Sequence, residues 1–305
     1  MSTKNTPLSI QKPFLKWVGG KTQIIDTIIS KIPSEMENYH EPFLGGGSVL
    51  FAVLSLQRQN RITVRGKIIA SDVNGALINV YKQIQNNHTE LFDFIQSYMD
   101  VYDSLKGTDI NRKPKNIEEA TTSKESYYYW LRDKYNHTDE NTPEKAALFM
   151  ILNKTCFRGM YRESPNGFNV PYGHYKKTPH VATLGELCSI SDMIQHVEFT
   201  CNDFDKSLKM VNMGDFVYLD PPYAPETDKS FVGYVADGFN IDMHTRLFET
   251  VKNIPDVLFV MSNSNVDLVK NSFKDYKIDE IIARRAINAK KPGSKTKEVI
   301  IYNKN

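Results

Sequence analysis

The sequence predicts an α/β fold, built on a doubly wound sheet with an inserted, mainly helical region. Short apolar runs that end in turn residues predict the strands; they cover 67–70, Val197–Cys201, Phe216–Leu219, 257–261 and 298–302. Helical patterns, such as the one over 48–59, separate several of these runs, as the layers of an α/β sheet require. Residues 74–153 differ, because their pattern is helical and polar, with predicted helices over 90–99, 124–135 and 144–152.

These patterns divide the chain into two predicted domains. Residues 1–74 and 184–305 form the sheet domain, and 75–183, which end in a segment rich in glycine, proline and aromatic residues, form the insertion. The 305 residues are 40% hydrophobic and 24% charged, which is enough to bury a sizeable core. No apolar stretch of membrane-spanning length and no secretory leader are evident, and three unevenly spaced cysteines suit a reducing compartment. We therefore expect a cytoplasmic protein without a metal site, as a monomer or weak homodimer.

The net charge of +2 is small, but two segments concentrate cations. The first lies within 153–177 and holds Lys154, Arg158, Arg162, Lys176 and Lys177 against the single acid Glu163. The second covers 284–297 and contains Arg284, Arg285, Lys290, Lys291, Lys295 and Lys297 with no acid. Such clusters favour a polyphosphate partner, although two solvated loops would give the same pattern.

The motif Asp220-Pro221-Pro222-Tyr223 follows directly on the predicted strand Phe216–Leu219, at the end of a strand where open α/β sheets bind ligands. An aromatic amino group is a poor nucleophile, because its lone pair is delocalised into the ring. The Asp220 carboxylate and the Pro221 carbonyl would accept its two hydrogens, and the proline pair would fix the carbonyl direction. Tyr223 offers a flat face for a base. A plain turn after a strand is the alternative interpretation.

A glycine-rich segment, Glu41-Pro42-Phe43-Leu44-Gly45-Gly46-Gly47, precedes the helix predicted from Ser48. Glycines let the backbone approach a ligand beside a helix N-terminus. Leu50 occupies the position of the third glycine in a dinucleotide fingerprint, which argues against a nicotinamide oxidoreductase. The tight loop would instead suit an amino-acid-like group such as that of S-adenosylmethionine, or it is a plain loop.

Three further segments of the chain complete the candidate cofactor site. Asp72, after the strand at 67–70, could accept from ribose hydroxyls or cap the next helix. Asp203 and Phe204 follow the run Val197–Cys201 and could contact an adenine ring. Near the N-terminus, Trp17 and Lys21 flank Gly19 and Gly20; the lysine could pair with a carboxylate and the tryptophan could pack on a cofactor, or on the core.

The ordered set of motifs resembles the Dam-type, alpha-group adenine-N6 DNA methyltransferases. The resemblance runs from residue 13 to about 302 and includes the segments 153–162 and 167–176. It implies a Rossmann-like methyltransferase sheet, an inserted target recognition domain, S-adenosylmethionine as cofactor and double-stranded DNA as partner. For the cofactor it implies contacts from Trp17, Gly19, Gly20, Lys21, Glu41, Pro42, Phe43, Gly45, Gly47, Asp72, Asp203, Phe204 and Asp220. For DNA it implies contacts from Lys16, Phe157, Arg158, Arg162, Pro171 and Tyr172, with Phe157 inserted into the base stack.

Two departures lie in the recognition segment, where the family usually has asparagine in place of Arg158 and an aromatic or small polar residue in place of Glu163. The resemblance implies GATC as the default target, and because of the two departures another four-base palindrome containing AT, such as CATG, is the rival. Asp220 favours adenine, because cytosine-N4 enzymes usually carry serine, and glutamine-modifying enzymes asparagine, before the proline pair. A DNA-binding protein that has lost catalysis is the alternative from a different class.

Overall fold

The computed structural model describes residues 9–225, 239–254, 256–284 and 295–303. The helices, in chain order, are α1 (Ile25–Ile29), α2 (Ser48–Arg58), α3 (Gly75–Ser104), α4 (Ile117–Ala120), α5 (Lys124–His137), α6 (Pro143–Thr155), α7 (Leu184–Ile194), α8 (Phe204–Leu208), α9 (Ile241–Lys252) and α10 (Asp267–Ser272). The strands are β1 (Glu35–Met36), β2 (Tyr39–Glu41), β3 (Thr63–Val64), β4 (Ile68–Asp72), β5 (Glu163–Ser164), β6 (Gly167–Phe168), β7 (Val197–Cys201), β8 (Phe216–Leu219), β9 (Leu258–Ser264), β10 (Lys277–Arg284) and β11 (Lys295–Tyr302).

The chain divides into two compact units. The first unit comprises Met1–Pro13, Gly20–Val73 and Asn202–Asn305, and the second comprises Phe14–Gly19 and Asn74–Cys201. The second unit thus takes in residues 14–19 and 184–201, which the sequence analysis assigned to the sheet domain. Each unit has its own set of buried apolar side chains.

The first unit is organised around a mostly parallel sheet, in which its strands follow one another in the order β10-β11-β9-β8-β2-β4. Strands β4, β2, β8 and β9 run parallel, whereas β11 runs antiparallel to both β9 and β10. Because parallel strands require crossover connections, helices such as α2 and α9 lie between them in sequence. The predicted α/β class is confirmed, and each predicted strand overlaps a strand of the structure.

The core of the first unit follows from its apolar spacing. Every residue of β8 is buried, as expected for a strand covered on both faces. On α9 the buried side chains His244, Leu247, Phe248 and Val251 recur at helical spacing, so one stripe of this helix faces the core. Leu247, Phe248 and Val251 belong to one core cluster with apolar side chains of β9 and β11, among others.

Helices dominate the second unit, and their N-termini are defined by side-chain caps. Asn74 accepts from the backbone of Leu77 at the start of α3, Ser123 caps α5, and Thr142 caps α6 immediately before Pro143. The helix α3 is interrupted at Asn87, whose backbone is not helical. The three helices predicted for this region lie within α3, α5 and α6. The predicted helices at 90–99 and 144–152 are shorter than the observed helices α3 and α6 that contain them.

Two sequence features have simple structural outcomes, and a third lies mostly outside the described residues. Cys156, Cys188 and Cys201 are free cysteines, of which Cys156 is buried. No helix in the described ranges is both long and apolar enough to cross a membrane. Most of the second cationic segment, residues 285–294, lies outside the described residues.

Candidate functional site

Asp220 stands directly after β8, and its two carboxylate oxygens have different surroundings. Oδ2 lies 2.5 Å from Lys21 Nζ, whereas Oδ1 is buried and has no hydrogen-bond partner within the described structure. Burial raises the pKa of Asp220, and the neighbouring Lys21 ammonium opposes that shift. A buried acceptor without a partner is costly unless a ligand satisfies it, so Oδ1 marks a position that can accept a hydrogen bond from a substrate.

The segment that follows Asp220 is fixed by β9. Asn263 Oδ1 accepts from the backbone N–H of Ala224 at 3.0 Å, and Ser264 Oγ donates to the Ala224 carbonyl at 2.5 Å. Pro221 is buried and Pro222 is exposed, and both have φ set by their rings. The direction of the Pro221 carbonyl is thereby constrained from both ends of this short segment.

Tyr223 is half-buried and is held at its hydroxyl. Tyr223 Oη donates to Glu298 Oε2 at 3.0 Å, and Lys21 Nζ lies 5.2 Å from the centre of the ring. Glu298 belongs to β11 and is only 9% exposed. Burial raises the pKa of Tyr223, so its hydroxyl stays protonated as a donor. The sequence analysis did not single out Glu298; the signal was an acid at the start of the apolar run 298–302.

Glu41 ends β2 and is also buried, with 2% of its surface exposed. Tyr39 Oη donates to Glu41 Oε2 at 2.6 Å. Burial raises the pKa of Glu41 to about 8, and the charge of Asp220 contributes in the same direction. A carboxyl group that is largely protonated near neutral pH can donate as well as accept, which suits it to a polar ligand atom.

The glycine-rich loop after β2 is bound to the end of β4. Gly45 N–H donates to Asp72 Oδ2 at 2.9 Å, and Leu44 N–H donates to the Ser71 carbonyl at 2.9 Å. Gly45 and Gly47 have φ of 49° and 70°, in the left-handed region that favours glycine. Gly47 is also the N-cap residue of α2, so the loop leads directly to a helix N-terminus.

Phe204, which was expected near an adenine ring, belongs to a small aromatic cluster. The ring of Phe43 stacks on that of Phe204 at 5.8 Å, and Phe239 contacts both. Phe204 is buried, whereas Phe43 is partly exposed. Asp203 is exposed and serves as the N-cap of α8, where it accepts from the backbone of Lys206 at 2.9 Å.

In the second unit, Lys16 is held by the buried amide of Asn153. Asn153 Oδ1 accepts from Lys16 N–H at 2.9 Å and its Nδ2 donates to the Lys16 carbonyl at 2.7 Å. The Lys16 ammonium lies 4.4 Å from the centre of the Tyr175 ring. Trp17, the next residue, stacks on Phe149 with a centroid distance of 6.2 Å. The backbone at Lys16 is therefore rigid while its side chain is exposed.

Phe157 begins the single-turn 3-10 helix Phe157–Gly159 after α6, and 42% of its surface is exposed. Its N–H donates to the Pro171 carbonyl at 2.8 Å. The guanidinium of Arg158 lies 5.0 Å from the centre of the Phe157 ring, and the Arg158 backbone has φ of 58°. An exposed large aromatic ring on such a constrained turn can insert between bases. Because the turn is already ordered, insertion does not require the entropic cost of ordering a flexible loop.

Arg162 is oriented by the hairpin of β5 and β6. Its Nε donates to Asn169 Oδ1 at 2.6 Å, and one terminal nitrogen donates to the Asn169 carbonyl at 3.2 Å. Pro171 is exposed, but Tyr172 is 9% exposed and its hydroxyl lies 2.8 Å from that of Tyr102. Tyr172 is therefore part of the interior of the second unit rather than of its exposed face.

No group of three or more histidine, cysteine or acidic side chains in the described ranges is arranged to hold a metal ion. The mostly parallel α/β sheet, with the motif at the end of β8, is consistent with the class of α/β methyltransferases. The family model for D12 class N6 adenine-specific DNA methyltransferases matches residues 17–287, and the chain belongs to this family.

Similar proteins extend over nearly the whole chain. The chain is 36% identical to the type II methyltransferase M.MjaIII of Methanocaldococcus jannaschii, over 95% of this chain and 96% of that protein. It is 32% identical to the type II methyltransferase M1.LlaDCHI of Lactococcus lactis subsp. cremoris, over 96% and 95%. It is 28% identical to the DNA adenine methylase of Haemophilus influenzae, over 91% and 88%. The protein is accordingly an S-adenosylmethionine-dependent, adenine-specific DNA methyltransferase.

Proposed function

We propose that this enzyme methylates N6 of an adenine that is extruded from a short palindromic DNA site, with Asp220, Pro221, Pro222 and Tyr223 as its catalytic motif. The observation that carries the proposal is the buried Asp220 Oδ1, an acceptor without a partner at the carboxyl end of β8. Asp220 Oδ1 and the Pro221 carbonyl accept from the amino group, which raises its nucleophilicity and stabilises the charge that develops on nitrogen. Tyr223 stacks on the extruded base and offsets part of the cost of unstacking it.

The first unit carries groups that fit S-adenosylmethionine. When bound, this cofactor supplies a methyl group on a cationic sulfur. The glycine backbone at Gly45 and Gly47 permits close approach, Glu41 offers a buried carboxyl group, and Lys21 carries a cation beside Asp220. We assign Asp72 and Asp203 to polar contacts, and Phe43 and Phe204 to the wall beside an adenine ring. Pro42, Trp17, Gly19 and Gly20 complete the proposed set on sequence grounds.

The second unit supplies the proposed target recognition domain. Lys16 and Arg162 have exposed side chains on fixed backbones, and arginine reads guanine edges well. Phe157, with Arg158 and Pro171 beside it, is placed on a turn that can fill the gap left by an extruded base. The buried position of Tyr172 gives it a supporting role for this turn. We propose GATC as the target and CATG as the rival.

The decisive experiment measures methyl transfer by the purified protein. Radiolabelled S-adenosylmethionine and unmethylated plasmid should give N6-methyladenine, identified after digestion to nucleosides. Asp220→Ala should lower the rate at least about a hundredfold, because it removes the acceptor from the transition state. Asp267→Ala, at a side chain that is 93% exposed, should leave the rate unchanged.

The products of that reaction also decide between the alternatives. Digestion with methylation-sensitive nucleases should show protection at GATC; protection at CATG would select the rival target. Binding of DNA without any methyl transfer would support a DNA-binding protein that has lost catalysis. Sedimentation of the active protein tests the proposed monomer or weak homodimer, and the free cysteines are consistent with the proposed cytoplasmic location.

A further inference from the structure

We propose that Glu298 is a positioning residue for methyl transfer, because its carboxylate holds the Tyr223 hydroxyl and so fixes the ring on which the target adenine stacks. This inference rests on the proposed function of Tyr223. Glu298 makes no direct contact with the reacting atoms in this scheme; it acts through the tyrosine.

The sheet places Glu298 where it can do this. Glu298 in β11 is paired in register with Ser264 in β9, and each of the two contacts the segment after Asp220. Glu298 accepts from Tyr223 Oη at 3.0 Å, while Ser264 Oγ donates to the carbonyl of the next residue, Ala224, at 2.5 Å. One register position of the sheet therefore holds both the side chain of Tyr223 and the backbone that follows it.

The contact closes a chain of interactions around the catalytic carboxylate. Lys21 Nζ lies 2.5 Å from Asp220 Oδ2 and 5.2 Å from the centre of the Tyr223 ring, and the far end of that ring is bound to Glu298. A tyrosine ring can rotate about its χ angles. It stacks favourably on a base only if the plane of the ring lies parallel to the plane of that base. An anchor at the hydroxyl removes that freedom before the base arrives, which is preorganisation.

Stability alone does not account for a buried carboxylate at this position. Glu298 is 9% exposed, and among the described residues it has no ion pair to compensate for its desolvation. An apolar side chain in β11 would avoid that cost, as Ile300 does two residues further along the same strand. The hydrogen bond to Tyr223 is the interaction that accounts for a buried carboxylate at position 298.

Glu298 also influences the catalytic carboxyl group electrostatically. Its negative charge raises the pKa of Asp220, in addition to the larger effect of burial, and the Lys21 ammonium acts in the opposite direction. The titratable groups that act on one another around Asp220 are Lys21, Glu41, Tyr218, Tyr223 and Glu298. Removal of the charge on Glu298 should therefore lower the pKa of Asp220, so that its carboxylate persists to lower pH.

The test is a cycle of Glu298→Ala, Tyr223→Phe and the double variant in the full-length enzyme, with single-turnover methyl transfer as the readout. Each single change should slow transfer by roughly tenfold, whereas dissociation constants for DNA and S-adenosylmethionine should change less than about threefold. Because both changes break the same hydrogen bond, the double variant should be no slower than either single variant. Glu298→Gln, whose amide oxygen can still accept from the hydroxyl, should recover most of the lost rate.

Two further measurements separate positioning from a structural role. In Glu298→Gln the acidic limb of the rate against pH should move to lower pH, and Glu280→Gln, an exposed change on β10, should move neither the rate nor the limb. The inference would be overturned if the rate losses of the two single variants multiplied in the double variant. It would also be overturned if Glu298→Ala had the wild-type rate of methyl transfer, and in both cases the proposed function would stand. If Glu298→Ala does not fold, Tyr223→Phe and Glu298→Gln decide the question by the same criteria. A wild-type protein that methylates no adenine would overturn both.

Discussion

Lys21 and Asp220 are separated by 199 residues in the chain, yet their side chains form a nearly buried ion pair. A pair of this kind is costly to break, because removal of one partner leaves the other charge desolvated. The Lys21 ammonium also lowers the pKa of Asp220 against the effect of burial. At the scale of single residues, this pairing favours the ionised form of the carboxyl group for which we propose a catalytic role.

Substitution of Lys21 tests that role. Lys21→Gln removes the cation that lowers the pKa of Asp220, so this pKa should rise and the carboxylate should be lost at a higher pH. The acidic limb of single-turnover rate against pH, measured at saturating S-adenosylmethionine, should therefore move to higher pH. Lys31→Gln, which removes a lysine paired with Asp279, is the matched control and should leave the limb in place. A limb that does not move in Lys21→Gln would contradict the assigned role.

At the scale of elements, the turn after α6 depends on one glycine. Gly159 has φ of 66°, and a Cβ built there would lie 2.6 Å from Lys16 Cβ and 3.3 Å from the Asn153 carbonyl oxygen. The close approach of this turn to Lys16 thus requires a residue without a side chain. The same turn presents Phe157 to solvent.

Gly159→Ala should consequently destabilise the protein by about 1–3 kcal/mol, the cost of a strained left-handed residue and of a contact that must shift. DNA binding should weaken in parallel, because Lys16 and Phe157, the proposed DNA contacts, would be displaced. Chemical denaturation and fluorescence anisotropy measure the two effects. Gly185→Ala is the control, since no atom lies within 4 Å of its Cβ position in α7, and it should be neutral or stabilise by up to about 1 kcal/mol. Equal stability of the two variants would refute the argument.

At the scale of the whole molecule, the core of the first unit contains a histidine without hydrogen bonds. His244 on α9 is fully buried, its ring nitrogens have no partner in the described structure, and it packs against Phe239 and Phe248. Burial lowers the pKa of His244 to about 4. The folded protein therefore binds the proton less readily than the unfolded chain, in which histidine has its ordinary pKa of about 6.5.

This difference makes stability depend on pH. Above about pH 6.5 both states are neutral at His244, and as the pH falls towards 4 only the unfolded chain gains the proton, so the free energy of unfolding should fall by up to about 3 kcal/mol. His244→Leu should remove this part of the pH dependence, as measured by urea denaturation between pH 4 and 8. His137→Leu, an exposed change, should keep it. A His244→Leu protein with the wild-type slope would show that the histidine is not responsible.

Local sequence was sufficient to predict the α/β class, the strand before Asp220 and the glycine-rich loop. These features depend on apolar spacing, on proline and glycine geometry and on turn residues, all of which act over a few positions. The order of the motifs also indicated the family, which the comparison with known proteins confirmed. The assignment of individual residues to cofactor and DNA stays a prediction.

Only the tertiary structure decided which distant side chains meet. The register of β9 against β11 brings Ser264 and Glu298 to the segment after Asp220, and the fold brings Asn153 to Lys16 over 137 residues. In the folded second unit Tyr172 is buried, although the family resemblance implied that it contacts DNA. Periodicity within a segment specifies which face of a strand is apolar, but the pairing of strands and the burial of a polar group depend on residues far away in the chain. For that reason the sequence determined the chemistry of the motif, whereas the fold determined what holds it in place.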